Sequence, residues 1–433
     1  MPPRLGLDLL DAIFALPANL ALRQEAFMSL RIPLARPEIT DADREAVMDV
    51  LRTPYLSMGP KVPEFEQAIC DYTGSKYAVA VNSGTSALHI AVRALGLEPG
   101  AEVILPSFTF SALLNVILQE GLQPRFVDID PETYNPTPEL IAAAITSATR
   151  LILAVHTFGF PVDTEAIREI VNGRDGSRAG RPRHTIHLIE DACEALGAEV
   201  HGRKAGMFGE AGLFAFYPNK QITTGEGGVL ITSDEELASH ARQLRNQGRD
   251  HALDCHQHAE IGFSYRLSDI NCALGISQLS RIEKIIERRQ KLAETYHRAL
   301  ARMGEIIRPP LTSGVGRISW FVYPVRLAAD FDAKDRDRIC EAMQRKGIGT
   351  GRYFAPLHQQ PVVQAHPAKN AKEWGTQPKI SKTQSEISLG LSQTEFVADR
   401  VIALPFFNAL TEREIQEVCG ALEESIRELC RKM

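Results

Sequence analysis

The sequence lacks the features by which disulfide-rich, zinc-binding, nucleic-acid-binding and membrane proteins are recognised. Its seven cysteines are an odd number among 433 residues and form no Cys-x-x-Cys pair, so neither a disulfide framework nor a structural zinc site is indicated. The formal net charge is -6, and no run of Lys and Arg suggests a nucleic-acid partner. No uninterrupted apolar stretch approaches the length of a membrane span. We expect a protein of the reducing cytoplasm with neither nucleic acid nor membrane as a partner.

Two further absences concern ligands. Neither a Gly-x-Gly-x-x-Gly fingerprint nor a Walker A loop occurs, so the sequence gives no ground for a dinucleotide or triphosphate site. The stretch HALDCHQH contains His251, Cys255, His256 and His258, but their spacing matches no standard zinc pattern. We predict no resident metal.

The beginning of the chain invites comparison with a secretory signal. Residues 5–22 are rather apolar, but Asp8 and Asp11 interrupt them and only Arg4 precedes them, which does not fit a signal peptide. We interpret residues 1–30 as an N-terminal extension ahead of the first organised domain.

Seven short runs rich in β-forming residues are spaced through the first two thirds of the chain. They cover residues 78–81, 103–105, 125–129, 151–156, 186–190, 213–216 and 229–232. Helical patterns, such as those at 86–95 and 137–145, separate several of them. This alternation predicts a mostly parallel sheet covered by helices, with functional groups at the strand ends and the loops that follow them.

A long helical pattern follows Ser268. Apolar residues recur there at spacings that place them on one helix face, namely Leu279, Ile282, Ile286, Tyr296 and Leu300. We predict that this helix joins a large domain at 31–285 to a smaller C-terminal domain within 286–433. Residues 364–386 are polar with few structural signals and are predicted to form a loop.

The first segment that could bind a ligand joins a predicted strand to a helix through small residues. Gly84, Thr85 and Ser86 lie in NSGTSAL, where exposed N–H groups at a helix start, with hydroxyls beside them, can bind a phosphate. Such a turn is also a common helix cap, so this segment alone does not decide between the two.

Three further segments carry ionisable side chains. Asp191 ends an apolar strand in EDACEA, where it could keep a ring nitrogen protonated or cap a helix. Lys220 lies between an aromatic strand and a Gly-rich turn in FAFYPNKQITTGEGG, where it could be a nucleophile or a surface lysine. Arg266 lies in a polar turn, GFSYRLSD, just before the long helix.

The order and spacing of these segments are more specific than any one of them. A phosphate-binding turn, then a carboxylate, then a lysine roughly thirty residues later is the arrangement of pyridoxal-phosphate (PLP) enzymes. The chain resembles the DegT/DnrJ/EryC1/StrS family of sugar aminotransferases from about Ile32 to its C-terminus. The resemblance is carried by SMGPKVPEFE, VNSGTSALH, EVILPSFTFSA, EDACEALGAE, FYPNKQITTGEGG, YRLSDINCALG and RYFAPLH.

The resemblance implies a fold-type-I aminotransferase of the α/β class. Its large domain would contain a mostly parallel seven-stranded sheet, and a smaller C-terminal α+β domain would follow. The cofactor would be PLP, and the enzyme would work as a homodimer with active sites at the subunit boundary. Lys220 would carry the cofactor covalently, and Asp191 would pair with its pyridine nitrogen.

The family motifs imply roles for further residues. Gly84, Thr85 and Ser86 would bind the cofactor phosphate, Phe110 would stack on the ring, and Glu194 would lie near the ring, where Gln is common in relatives. Other implied positions belong to substrate or partner: Ser264 and Arg266 would serve the neighbouring subunit's site, and Tyr353 and His358 would lie near the sugar nucleotide. His156, in VHTFG, is open equally to a structural and an active-site role.

Two positions depart from the family pattern. Ala215 stands where a phosphate-contacting Ser is frequent, and Ser264 stands where Asn is frequent. We therefore expect an altered phosphate-binding cup.

The implied reaction moves an amino group from an amino acid, with glutamate expected as donor, to a nucleotide-linked keto sugar, with a 4-keto-6-deoxy sugar favoured. An aminotransferase acting on a keto-cyclitol or another keto substrate is the first alternative. A sugar dehydratase is the second, although one such group has His in place of Lys220. A non-catalytic regulator is the third, and the complete Asp191 and Lys220 pair argues against it.

Overall fold

The computed structural model describes residues 30–173, 185–249, 257–364 and 390–431. Nearly all of the predicted N-terminal extension lies outside the described residues. The same holds for most of the predicted loop at 364–386. It also holds for three of the four His and Cys residues of HALDCHQH, namely His251, Cys255 and His256.

Helices and strands alternate through the first part of the described chain. In order they are α1 (Asp41–Leu51), α2 (Lys61–Thr73), β1 (Tyr77–Val81), α3 (Gly84–Ala94), β2 (Glu102–Pro106), α4 (Ala112–Gln119), β3 (Gln123–Val127), α5 (Pro138–Ala144), β4 (Thr149–Val155), α6 (Thr164–Asn172), β5 (His187–Asp191), β6 (Glu199–Val200), β7 (Arg203–Lys204), β8 (Ala211–Ala215), β9 (Gly228–Thr232) and α7 (Glu235–Arg245).

The remaining elements are mainly helical. They are α8 (Asp269–Leu279), α9 (Ile282–Ala299), β10 (Ile306–Ile307), β11 (Tyr323–Leu327), α10 (Ala333–Arg345), α11 (Pro361–Gln364), α12 (Ser392–Ala398), β12 (Val401–Leu404) and α13 (Glu412–Cys430).

Each of the seven predicted β runs is a strand of one sheet, which confirms the predicted fold class. The strand order is β1-β9-β8-β5-β4-β2-β3. The pairs from β8 through β5, β4 and β2 to β3 are parallel, whereas β9 runs antiparallel to β1 and β8. The carboxyl ends of β2, β4, β5 and β8 therefore meet at one edge of the sheet.

The central strands are buried on both faces, as covered parallel strands must be. In β4, Leu151 and Leu153 pack into the apolar core on one face, while Ile152 and Ala154 pack into the core on the other. This is the period of two expected of a strand. It explains why these strands read as continuous apolar runs in the sequence.

The helical pattern after Ser268 forms two helices rather than the single one predicted. All five apolar positions of the pattern are buried, but Arg281, between α8 and α9, has a non-helical backbone at φ -120° and ψ 14°. Its guanidinium donates to the buried carboxylate of Asp43 at 2.7 Å. The apolar face is thus continuous across a break that apolar spacing alone does not reveal.

The C-terminal part contains a second, three-stranded sheet in the order β10-β11-β12, all antiparallel. It shares an apolar core with α9, α10 and α13, in which Tyr296, Trp320 and Tyr323 are fully buried. Phe108 and Phe158, from the loops after β2 and β4, belong to the same core. The carboxyl edge of the large sheet is therefore packed directly against the C-terminal part. Within the described ranges, no helix is long and apolar enough to cross a membrane.

Candidate active site

A cavity of about 430 Å³ lies at the carboxyl edge of the large sheet, where α/β proteins usually bind ligands. The start of α3, the ends of β4, β5 and β8, and two C-terminal segments surround it. Of the residues predicted for the site, those that line it are Gly84, Thr85, Phe110, Asp191, Glu194, Lys220 and Tyr353.

The start of α3 forms one end of the cavity. Ser83 caps the helix and accepts a hydrogen bond from the Ser86 N–H at 3.0 Å. Among the described residues, the N–H groups of Gly84 and Thr85 have no acceptor, as expected in a first helical turn. Two free N–H groups at a positive helix end suit an anion, and we refer to them as the α3 cradle.

Glycine and alanine make this cradle close-fitting. A Cβ added to Gly84 would come within 2.7 Å of the Ala215 Cβ and 3.0 Å of the Cys193 Sγ. Ser86 itself does not line the cavity, because its hydroxyl is turned to Asn82 Oδ1 at 2.6 Å. Ala215 does line it and offers no hydrogen bond there.

Asp191 is the last residue of β5 and lines the cavity with its carboxylate beside the next turn. Its Oδ1 accepts the Cys193 N–H at 3.0 Å. No α-helix follows within the described residues 192–198, so the helix-capping alternative for Asp191 is wrong. Its carboxylate is held at the strand end, facing the cavity.

Lys220 reaches the same cavity from the loop between β8 and β9. Its Nζ lies 3.4 Å from Glu194 Oε1 and 4.1 Å from the centroid of the Phe321 ring. The side chains of Lys220 and Glu194 are only 14% and 13% exposed. The surface-lysine alternative is therefore also wrong.

Burial sets the protonation of several groups around Lys220. It raises the pKa of Glu194, with Lys220 as the main opposing influence. It raises the pKa of the Cys193 thiol well above its ordinary value, and, with Glu194 adding to the effect, it raises the pKa of Tyr353. Cys193 and Tyr353 are therefore neutral in neutral solution.

The structure places two predicted histidines away from the cavity. His156 is fully buried; its Nδ1 accepts the Val162 N–H at 3.1 Å, so Nε2 carries the proton and donates to Glu190 at 3.1 Å. His358 is also buried, between Ser107 Oγ at 2.7 Å and Glu395 Oε1 at 3.0 Å. Both ring nitrogens of each histidine are therefore hydrogen-bonded to other residues of the fold.

Ser264 and Arg266 also lie away from this cavity. Ser264 forms a backbone bridge to Asn246, and Arg266 donates to Asn246 Oδ1 at 3.1 Å and bridges Val81 through its backbone. The segment thus runs beside β1 and α7 on the same chain.

Sequence reasoning missed three residues that complete the surroundings of Lys220. Phe321 and Asn219 line the cavity. Arg289 of α9 is 3% exposed and donates to the carbonyls of Trp320, Phe321 and Lys220 at 3.1, 3.1 and 3.4 Å. The available signal was the position of Arg289 on the otherwise apolar face of α9, because a buried guanidinium requires specific acceptors.

These groups fit pyridoxal phosphate. The cradle at Gly84 and Thr85 suits a phosphate, the amine of Lys220 suits an aldehyde, and the carboxylate of Asp191 suits a protonated ring nitrogen. Asn219 Oδ1 adds a buried acceptor that has no partner in the described chain. Fold and site together define a fold-type-I aminotransferase.

Comparison with known proteins gives the family. Residues 37–423 match the model of the DegT/DnrJ/EryC1/StrS aminotransferase family. A GDP-perosamine synthase of Caulobacter vibrioides is 36% identical over 374 residues, which are 86% of this chain and 97% of that protein. The chain belongs to the DegT/DnrJ/EryC1/StrS aminotransferase family and is a PLP-dependent aminotransferase.

Two solved structures share the fold over nearly the whole chain. The aminotransferase TlmJ of Streptoalloteichus hindustanus has a TM-score of 0.80 at 28% identity, covering 92% of this chain and 100% of that one. An E. coli GDP-4-keto-6-deoxy-D-mannose-3-dehydratase with bound hydrated PLP has a TM-score of 0.79 at 25% identity, covering 91% and 99%.

Proposed function

We propose that this enzyme transfers an amino group from glutamate to a nucleotide-linked keto sugar, with a 4-keto-6-deoxy sugar as the favoured acceptor. The observation that carries the proposal is the convergence of Lys220, Asp191 and the α3 cradle on one cavity. Similarity to a GDP-perosamine synthase supports a nucleotide-linked sugar as the substrate class.

The proposed roles follow from position. PLP, when bound, supplies an electron sink for the charge that develops at the donor's Cα. Lys220 Nζ binds the cofactor aldehyde. Once released, the amine takes a proton from the donor's Cα and delivers it to the cofactor's aldehyde carbon. Asp191 keeps the ring nitrogen protonated, and Gly84 and Thr85 hold the phosphate by their N–H groups.

A homodimer is part of the proposal. Large apolar side chains are exposed on and after α1, which a second copy of the chain would cover. They are Met48, Leu51, Tyr55, Leu56 and Met58, at 46–60% exposure. Phe110 and Tyr217, at the cavity rim, are 59% and 51% exposed, which supports a subunit boundary beside the site.

Mixed dimers test the shared site. If Arg266 serves the neighbouring site, Lys220→Ala protein and Arg266→Ala protein, each inactive alone, regain part of the activity when mixed. A fully active monomer in sedimentation would contradict the proposal.

The substrate test separates the chemistry into halves. The enzyme is first loaded with glutamate, and nucleotide-linked 4-keto and 3-keto sugars are then added separately while the cofactor spectrum is followed. We expect the original spectrum to return with a 4-keto sugar. A response to 3-keto sugars only would overturn the position, and a response only to a keto-cyclitol would overturn the nucleotide sugar as well.

A further inference from the structure

The contact between Glu194 and Lys220 has a consequence for proton transfer. One carboxylate oxygen of Glu194, Oε2, is fixed by the Phe158 N–H at 2.8 Å. The other, Oε1, points to Lys220 Nζ at 3.4 Å. The backbone thus holds Glu194 in place and leaves one oxygen for the amine.

Glu194 is the carboxylate that Lys220 contacts. Within the described part of the chain, Lys220 forms its ion pair with Glu194 alone. Two other carboxylates line the cavity: Asp191 accepts the Cys193 N–H, and Glu226 is exposed at the rim. The aromatic wall of Phe321 covers the amine at 4.1 Å and limits the access of water.

The chemistry of Lys220 needs such a partner. An amine must be neutral to attack an aldehyde or to remove a proton from carbon, yet in water it is ammonium at neutral pH. In a covered site, the proton must go to a group within hydrogen-bond reach. We propose that Glu194 is the proton partner of Lys220: as the N–H bond of the ammonium breaks, an O–H bond forms at Glu194 Oε1, and the proton later returns.

The surroundings favour this exchange. Burial raises the pKa of Glu194, and the neighbouring charge of Asp191 raises it further, while Lys220 lowers it. A carboxylate with a raised pKa accepts a proton more readily than an ordinary one. Cys193 and Tyr353 also face this space, but their raised pKa values keep them neutral, and Tyr217 stands at the rim.

The inference rests on the proposed attachment of the cofactor to Lys220, and a test on the holoenzyme distinguishes the two. The protonated and unprotonated forms of the lysine–cofactor link differ in visible absorbance, so their midpoint pH can be measured without substrate. Glu194→Gln removes the negative charge and disfavours the protonated form. The midpoint should fall by about 1–3 pH units.

Two variants sharpen the test. Glu194→Asp keeps a carboxylate on a shorter stem and should retain a midpoint closer to wild type than Glu194→Gln. Glu226→Gln makes the same chemical change at an exposed position of the cavity rim and should leave the midpoint in place.

A wild-type midpoint in Glu194→Gln overturns the inference while leaving the cofactor attachment intact. An Asp variant shifted as far as the Gln variant overturns it too. If the Gln variant does not fold, Glu194→Asp is compared with the wild type instead, and a midpoint lower by the full 1–3 pH units, about the fall expected of Gln, overturns the inference. Borohydride reduction of the cofactor onto a lysine other than Lys220 would instead contradict the proposed cofactor attachment, and with it the pairing of Glu194 with a cofactor-bearing lysine.

Discussion

Two glutamates four positions apart, Glu190 and Glu194, differ in how their surroundings treat a carboxylate. The Glu190 side chain is fully buried, and that of Glu194, at the cavity, is 13% exposed. Both carboxylates are withdrawn from water. Glu190 lies inside strand β5, between β4 and β8, whereas Glu194 lies in the turn beyond the strand end. They differ in the number of hydrogen bonds that compensate their burial.

Glu190 is fully satisfied. Burial by itself would raise its pKa, but the hydrogen bond from His156 and backbone N–H groups outweigh that effect and lower the pKa below its ordinary value. The backbone donors are the N–H groups of Gly206, Phe208 and Gly209, at 3.0, 2.5 and 3.0 Å. This carboxylate is held ionised, and both of its oxygens already accept hydrogen bonds from the protein.

Glu194 has one backbone donor and one amine, so its burial is only partly compensated and its pKa is raised. An incompletely satisfied carboxylate with a shifted pKa in a cleft is a candidate for a functional role. Burial alone therefore does not distinguish a structural carboxylate from one at a ligand site. The hydrogen-bond donors around its two oxygens distinguish them.

The largest expected effect comes from removing the partner of Glu194. Lys220→Ala should abolish turnover, because it removes the amine proposed to attach the cofactor and to transfer the proton. Borohydride treatment followed by mass spectrometry should find the cofactor on Lys220 in the wild type and nowhere in the variant. Reduction onto another lysine would show that the attachment is misassigned.

Asp191→Asn is expected to have the next largest effect. The amide keeps the hydrogen bond to Cys193 but not the charge, and an active-site electrostatic contact is commonly worth ~3 kcal/mol, on the order of a hundredfold in rate. The rate of the half-reaction with glutamate, followed by absorbance, measures it. Near-normal rates with PLP still bound would leave Asp191 with a purely structural role.

Glu190→Gln should act on stability instead. The amide cannot accept from all the donors that surround Glu190, so unfolding should require about 2 kcal/mol less. The lowered pKa of the native carboxyl makes its stabilisation complete above the unfolded pKa and lost as pH falls through the folded value. The raised pKa of Glu194 has the opposite sign, because its ionisation costs stability as pH rises.

Denaturant titrations of Glu190→Gln and Glu194→Gln at neutral and acidic pH test this contrast. The deficit of Glu190→Gln should shrink in acid. Glu194→Gln should lose no stability at neutral pH, and an equal loss in both variants would remove the distinction between the two carboxylates.

How much of this was accessible from the sequence depends on the range of the interaction. Strand runs and the motif at Gly84, Asp191 and Lys220 are local patterns, so the sheet and the cavity lining could be predicted. The break at Arg281 depends on Asp43, far along the chain. No spacing rule registers such a contact.

The hydrogen-bond partners of His156 and Arg289 were inaccessible for the same reason. A histidine after an apolar strand has the same local sequence whether or not its ring donates a hydrogen bond to a residue such as Glu190. Arg289 lies on the apolar face of α9, which signals a buried guanidinium, but its acceptors, the carbonyls of Trp320 and Phe321, are distant in the sequence.

Arg289 extends the comparison to a buried cation with no ion-paired carboxylate among the described residues. Burial lowers its pKa to about 10, so it stays charged in neutral solution, held by carbonyls of the Lys220 loop and of the segment that carries Phe321. We expect Arg289→Lys to lower kcat about tenfold, because one ammonium cannot span both segments and a small misplacement of Lys220 is costly. The KM for glutamate should change little, since Arg289 does not line the cavity.

The neighbouring Arg288 provides a matched control. It also donates to carbonyls, those of Asn408 and Leu410, away from the site, so Arg288→Lys should keep the wild-type kcat. A wild-type kcat in Arg289→Lys, or equal losses in both variants, would show that Arg289 only stabilises the fold.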